Sequence, residues 1–425
     1  MENNCIYGVW LQQVLGAGSR KAPALLEYFG SCREIYEADE QELRLSGIVG
    51  EKDISRFIDT PLDEAEEIIE ACERLGYDIK TPDDAEYPDR LRNIPDYPTA
   101  LYISGSLPDI DNEVCIAIVG TRRASRYGYT TANEIAKDLA ACGAIVVSGC
   151  ARGIDTAAHQ GALLSGGKTL AVLGCGINTR YNVENEGLRK VISTSGALIS
   201  EYPPGSPPLN YHFPVRNRII SALSLGVLVV EAGVRSGSLI TANLALEQGK
   251  DIFSVPGELS NYLSKGTNRL IFDGAKPIES AADILDEYIF KFPHKITSVN
   301  IMDKNSRVFE KKVRPKWDNE ALAEKYNISV DELPVRRENN KSSAGSVKRG
   351  KKRPEPDLQS KTLVLRIGMS ENAERVLNEL TDTPTSFEDL LTRLNMEPSE
   401  LSRCITELEL YSAVAVLPGN KFTKG

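Results

Sequence analysis

Apolar side chains change their spacing several times along this 425-residue chain, and each change marks a segment. Over residues 1–80 they recur every three to four positions, as in Ala24-Leu25-Leu26-Glu27-Tyr28-Phe29 and from Glu64 to Leu75. That is the period of helices with one buried face, and it predicts a small helical module. Residues 81–112 lose the period and fill with Pro, Asp and Tyr (Ile94-Pro95-Asp96-Tyr97-Pro98), which predicts an extended connector. From 113 to 290, short β-branched runs at 116–120, 145–148, 169–173, 197–200, 227–231 and 252–255 alternate with helical stretches. Strands that are apolar on both sides belong to a parallel sheet covered on both faces, so the segment predicts an α/β, doubly wound, Rossmann-like domain. Residues 291–368 lose apolar periodicity and read as a basic flexible linker with a short helix near 321–326. Residues 369–425 predict three helices, near 373–380, 386–393 and 400–408, then two short strands, the pattern of a winged helix.

Charge sharpens this division. The net charge is −10, but residues 1–115 carry −15, residues 116–285 carry +3, residues 286–365 carry +6 and residues 366–425 carry −4. An acidic protein can therefore present a local positive surface on its central domain. The linker holds the clusters Lys311-Lys312-Val313-Arg314-Pro315-Lys316 and Lys348-Arg349-Gly350-Lys351-Lys352-Arg353, read mainly as solvated charge. In the helical module, Leu45-Ser46-Gly47-Ile48-Val49-Gly50 is either a plain helix–helix turn or a helix-hairpin-helix turn whose amides meet a phosphate. The eight cysteines are scattered without Cys-x-x-Cys spacing and read as small buried hydrophobes in a reducing compartment. No apolar run approaches a membrane span and the first residues lack an export pattern, so the expected location is cytoplasmic, with no membrane contact.

In an open parallel sheet, ligands bind beyond the carboxyl ends of the strands, so the informative residues follow each strand. Here those loops share glycines and arginines: Gly120-Thr121-Arg122-Arg123, Ser148-Gly149-Cys150-Ala151-Arg152-Gly153-Ile154-Asp155, Gly174-Cys175-Gly176-Ile177-Asn178-Thr179-Arg180-Tyr181, Phe213-Pro214-Val215-Arg216-Asn217-Arg218 and Arg235-Ser236-Gly237-Ser238. Glycine permits close backbone approach, helix N-terminal amides offer donors, and arginine grips phosphate with two parallel hydrogen bonds. Tyr127, Tyr181 or Phe213 would stack on bases. No G-x-G-x-x-G follows the first strand, and Gly167-Lys168-Thr169 precedes a strand where a phosphate-binding loop would precede a helix, so no nucleotide cofactor is expected. None of the three histidines (His159, His212, His294) sits beside a nucleophile and a carboxylate, and no metal-ligand spacing occurs. The expectation is a binding protein with no catalytic residues, no metal and no cofactor, in which Glu231 orients the arginines.

The ordered motifs Ile118-Val119-Gly120-Thr121-Arg122, Ser148-Gly149-x-Ala151-Arg152-Gly153-Ile154-Asp155, Phe213-Pro214-x-Arg216-Asn217-Arg218, Ser236-Gly237-Ser238-Leu239-Ile240-Thr241-Ala242 and Val255-Pro256-Gly257 resemble the DprA (Smf) family of DNA processing proteins. The resemblance implies a Rossmann-like domain between a SAM or helix-hairpin-helix module and a winged helix. It implies single-stranded DNA bound along the loop rim, homodimerisation, and delivery of the strand to the RecA recombinase during natural transformation. By position, the DNA-binding residues would be Arg122, Ser148, Gly149, Arg152, Gly153, Arg180, Asn185, Arg216, Arg218, Gly237 and Ser238. The dimer surface would lie around Leu270 and Ile271. Val183 stands where the family commonly has a basic residue, and Arg180 is the expected substitute. Two rival readings are an enzyme related to the lysine-decarboxylase-like phosphoribohydrolases, whose Pro-Gly-Gly-x-Gly-Thr loop is replaced here by Arg235-Ser236-Gly237-Ser238, and a docking scaffold.

Overall fold

Six short helices open the chain: α1 (Cys5–Leu15), α2 (Lys21–Phe29), α3 (Cys32–Glu37), α4 (Glu40–Leu45), α5 (Glu51–Asp59) and α6 (Asp63–Leu75). Their ends follow local chemistry. Ser31 and Asp39 accept the backbone N–H groups of Glu34 and Glu42 as N-caps, and Gly76, at φ +67°, closes α6 in the left-handed region. The apolar faces converge on Trp10, whose Nε1 donates to Thr60 O at 2.8 Å while the Tyr36 ring meets it edge-on at 5.0 Å. At the Gly47–Gly50 turn, the Gly50 amide donates to Asp53 Oδ2 at 3.3 Å, and Lys21 pairs with the same carboxylate. The α5 N-terminus is thus occupied by the chain's own acid, as in a plain helix–helix turn.

The computed structural model describes residues 5–296, 319–326, 371–380, 385–394, 396–410, 414–417 and 421–424. They fall in two units, Met1–Glu338 and Asn339–Gly425. In the first, a nine-stranded sheet has the order β1-β2-β6-β5-β4-β3-β7-β8-β9. Its strands are β1 (Asp78–Lys80), β2 (Leu101–Gly105), β3 (Cys115–Val119), β4 (Ile145–Ser148), β5 (Thr169–Leu173), β6 (Ala197–Ser200), β7 (Gly226–Val229), β8 (Asp251–Ser254) and β9 (Lys276–Pro277). β3 to β9 are mutually parallel, and β1 and β2 join antiparallel at the edge, with Tyr102 opposite Ser200.

Helices cover both faces. α8 (Arg126–Ala141), α9 (Ile154–Ser165) and α14 (Ala281–Leu285) pack one side around Ile116, Ile118, Val146 and Phe253. α11 (His212–Ala222), α12 (Gly237–Glu247) and α13 (Lys265–Phe272) pack the other around Ala117, Val119, Val147 and Val229. α10 (Glu186–Ser195) shares one apolar core with the N-terminal helices through Leu188, Val191 and Ile192. The module is therefore continuous with the sheet edge. Residues 81–112 hold the short helix α7 (Asp89–Arg92) and strand β2, in place of an extended connector. Leu101, Tyr102 and Ile103 are buried there, an apolar run long enough to pair with β6.

Past the sheet, α15 (Asn319–Tyr326) falls where a short helix was expected and docks on α9, with Lys325 Nζ and Tyr326 OH both donating to Leu163 O at 3.2 Å. The basic clusters at 311–316 and 348–353 lie outside the described residues. The second unit contains α16 (Glu371–Glu379), β10 (Thr385–Ser386), α17 (Phe387–Leu394), α18 (Pro398–Leu410), β11 (Val414–Leu417) and β12 (Lys421–Lys424) around Val376, Leu390, Leu401, Leu408 and Phe422. Three helices with an antiparallel β11–β12 ribbon are a winged helix, as the spacing predicted.

Candidate functional site

The strand order reverses between β3 and β7, and a cleft of about 300 Å³ opens there, beyond their carboxyl ends. It is walled by the β3–α8 loop, the β4–α9 loop and the first turns of α11 and α12. The β3–α8 loop is held by Glu231, a buried residue two positions past β7. Its backbone O accepts from Thr121 N at 2.8 Å, and its carboxylate accepts from both Ser125 N and Ser125 Oγ. Ser125 in turn caps α8. Glu231 therefore holds the loop that carries Arg122, where the sequence suggested an arginine partner. Arg122 is exposed, and its guanidinium lies 5.3 Å over the Phe213 ring, which meets Tyr181 at 5.1 Å. This cation–aromatic ladder joins two of the three aromatics expected to stack; Tyr127 is exposed on α8 but does not line the cleft.

In the β4–α9 loop, Gly153 takes φ +83°, and a Cβ there would strike Thr121 O, so the loop needs glycine at this position. Arg216 is buried at the cleft floor, where its Nη1 donates to Gly149 O at 2.9 Å and to Val172 O, tying the ends of β4 and β5 together. Burial lowers its hold on the proton, and the nearby Asp155 opposes that effect. Asp155 is pushed up to about 6 by burial, against the pull of Arg216 and the Ala151 amide. At the fourth wall, Ser236 caps α12 and exchanges a hydrogen bond with Ser238 Oγ at 2.8 Å, while Gly237 is exposed with open space at its Cβ position. The first turn of α12 thus lines the cleft, with its positive dipole end toward it.

Of the predicted residues, Arg122, Arg216, Gly237 and Ser238 line this cleft. Several others do different work. Ser148 is fully buried and its Oγ donates to Ile118 O at 2.6 Å, so its side chain braces the sheet. Asn185 is buried too, its Nδ2 donating to Cys150 O and Thr156 Oγ1 at 3.0 Å, which shapes the β4–α9 loop from behind. Arg218 is directed away from the rim into a buried pair, Nη2 to Glu201 Oε1 at 2.6 Å, with Asp96 at 3.4 Å. Arg152 is exposed but pairs with Glu184 at 3.0 Å, and Arg180 lies on a neighbouring cleft, 3.9 Å from Glu186. Leu270 packs into the domain's own core and is 9% exposed; Ile271 is half-buried and Phe272 is 80% exposed.

Sequence reasoning passed over Asp155 as a cleft group; its place in the first turn of α9 at a strand's carboxyl end is the signal that marks it. His159 is a core residue: its Nδ1 lies 2.7 Å from Thr169 Oγ1, and that hydroxyl's proton goes to Val146 O, so Nδ1 carries the histidine's proton. Burial drops its pKa to about 3. Seven of the eight cysteines are buried, and burial raises thiols such as Cys150 to about 11. Among the described residues no group of side chains has metal-binding geometry, and no helix is long and apolar enough to cross a membrane.

Residues 78–289 match the sequence pattern of the family described as DNA recombination-mediator protein A, and residues 351–420 match the DprA winged helix domain. The DNA processing protein DprA of Streptococcus pneumoniae is 44% identical over 204 residues, 48% of this chain and 72% of that protein. Protein Smf of Escherichia coli is 42% identical over 236 residues, 55% of this chain and 63% of that protein. The crystal structure of the pneumococcal DprA superposes with a TM-score of 0.59 at 34% identity, covering 66% of this chain and 97% of that one. The sheet order, the switch-point cleft and these matches agree: the chain belongs to the DprA (Smf) family of DNA processing proteins.

Proposed function

We propose that the cleft between β3 and β7 binds single-stranded DNA by its phosphate backbone, without acting on it as an enzyme, and that the bound strand is protected and handed to RecA in the cytoplasm by a homodimer of this chain. The observation that carries the strand-binding reading is the meeting of Arg122, Arg216 and the α12 N-terminus around one space, with the Phe213 and Tyr181 rings beside it. Arginine and helix amides hold phosphate, and the rings offer faces to bases. In a duplex those base faces are covered by their neighbours, so the ladder favours a single strand. Phosphates and base faces are common to every nucleotide, so contacts of these two kinds are tolerant of sequence.

An enzymatic reading rests on Asp155, a carboxyl with a raised pKa in a cleft. Its oxygen is engaged by the Ala151 amide and the charge acting on it most strongly is that of Arg216, the arrangement of a loop-shaping acid. The test is a titration of oligo-dT against duplex over a range of salt. Arg122→Ala should weaken oligo-dT binding and lower the log–log salt slope by about 0.7, the share of one single-strand phosphate. Unchanged affinity and slope would reject the site, and release of free base from nucleoside monophosphates would revive the enzyme.

A further inference from the structure

A groove of about 650 Å³ opens between α2 and the segment 82–97. From the helix side it is lined by Arg20, Pro23, Ala24 and Glu27, whose spacings of three, four and seven put them on one face, with about 10 Å from the first to the last. Leu26 and Ile94 are its buried apolar lining, and Pro82 and Pro95 add apolar surface without N–H groups. The polar groups differ in how far the fold engages them. Arg92 is tied to Asp89 and to the carbonyls of Pro82 and Asp84. Arg20 and Glu27 are exposed and have no ion pair among the described residues, and Tyr97 OH and the Asn93 side chain have no hydrogen-bond partner there. Burial first, and then Cys32, Asp83 and Glu27, raise the Tyr97 phenol above its ordinary value, so the two carboxylates converge on it. The groove thus offers a free cation at one end, two acids at the other and apolar surface between.

We infer that this groove takes an extended peptide segment of a partner protein, about four residues long, with an acidic side chain on Arg20, a basic side chain between Glu27 and Asp83, and apolar residues on Leu26, Ile94 and Tyr97. Three steps of extended chain cover about 10 Å, the separation of the two charged ends. Tyr97 OH and the Asn93 amide can each donate and accept, which suits the backbone groups of such a peptide. Charge complementarity selects this occupant, because a nucleic-acid backbone, negative at every step, would be repelled by Glu27 and Asp83. The groove shares no lining residue with the cleft between β3 and β7, so the inference does not rest on the strand-binding reading.

The test uses the full chain and acetylated, amidated tetrapeptides followed by ligand-observed NMR. Lys-Pro-Leu-Glu should half-saturate the wild type below about 5 mM and bind more tightly than Lys-Pro-Leu-Lys or Glu-Pro-Leu-Glu. Arg20→Glu should weaken Lys-Pro-Leu-Glu by about threefold and tighten Lys-Pro-Leu-Lys by a similar factor, a gain that misfolding cannot imitate. Glu27→Lys should do the same in favour of Glu-Pro-Leu-Glu. The inference is overturned if Lys-Pro-Leu-Glu does not saturate the wild type, or if either charge reversal leaves the order of preference unchanged.

Discussion

Arg218 offers the sharpest test of how α11 is used, because its sequence position places it on the DNA rim and its geometry places it in a buried ion pair. Glu201, 2% exposed, accepts from Arg218 Nη2 at 2.6 Å, Gly18 N at 3.0 Å and Gln12 Nε2 at 3.2 Å. Arg218→Met leaves that carboxylate with two neutral donors and no cation, which should cost about 3–5 kcal/mol. Glu201→Gln leaves Arg218 with Asp96, whose carboxylate lies at 3.4 Å and whose carbonyl accepts at 3.1 Å, so the loss should be smaller, about 2 kcal/mol. The double variant removes both charges together and should cost less than the two single losses combined, by about 1 kcal/mol or more. The buried Trp10 reports on the module, so urea unfolding followed by tryptophan fluorescence in a Trp317→Phe background gives all four corners of the cycle. Arg218→Met that folds at low temperature should keep the wild-type salt slope for oligo-dT. A loss under about 1 kcal/mol together with a slope lowered by about 0.7 would put Arg218 on the strand and refute the buried-pair reading.

Three further predictions concern Asp155, Leu270 and Phe272. Folded Asp155 holds its proton up to about pH 6, whereas the unfolded carboxyl releases it near 3.8, so stability should fall as pH rises between those values and then level, by at most about 3 kcal/mol. Asp155→Asn should flatten that profile in pH-dependent thermal melts, and it should also remove a tightening of oligo-dT binding below pH 6, where the neutral acid no longer repels phosphate; an unaltered profile would show that another group titrates. Leu270→Ala should cost about 2–4 kcal/mol by opening a cavity in the domain core. Phe272→Asp, 80% exposed in the monomer, should leave stability intact and halve the mass seen by light scattering if the proposed homodimer uses this end of α13. A Phe272→Asp protein of unchanged mass would remove α13 from the interface.

The central sheet was legible because a parallel strand buried on both faces must be an unbroken apolar run: β4, β5 and β6 begin and end where the sequence placed them. β2 was not, because Leu101-Tyr102-Ile103 is short, follows a proline-rich stretch and acquires its meaning only from antiparallel pairing with β6, almost a hundred residues later. At the site, glycines and arginines after the strands were enough to find the switch-point cleft. Direction was the missing quantity. Whether a polar residue beyond a strand faces solvent or folds back depends on distant partners, such as Cys150 O for Asn185 and Glu201 for Arg218. Leu270 and Phe272 differ likewise in helix phase, which a loosely matched segment leaves open.

That phase also explains how α11 serves two masters. Successive helical residues turn by about 100°, so Arg216 and Arg218 point about 200° apart. One lies on the cleft floor, holding Gly149 O and Val172 O; the other leaves the helix toward Glu201, at the carboxyl end of β6, and through it reaches Gln12 and Gly18 of the N-terminal module. The module's only phosphate-like turn, at Gly47–Gly50, is filled by Asp53, and its net charge repels a polyanion. Its contribution to strand binding therefore runs through the packing of α11: a module that loosens should relax the positions of Phe213 and Arg216, while Arg122 and the α12 N-terminus keep theirs.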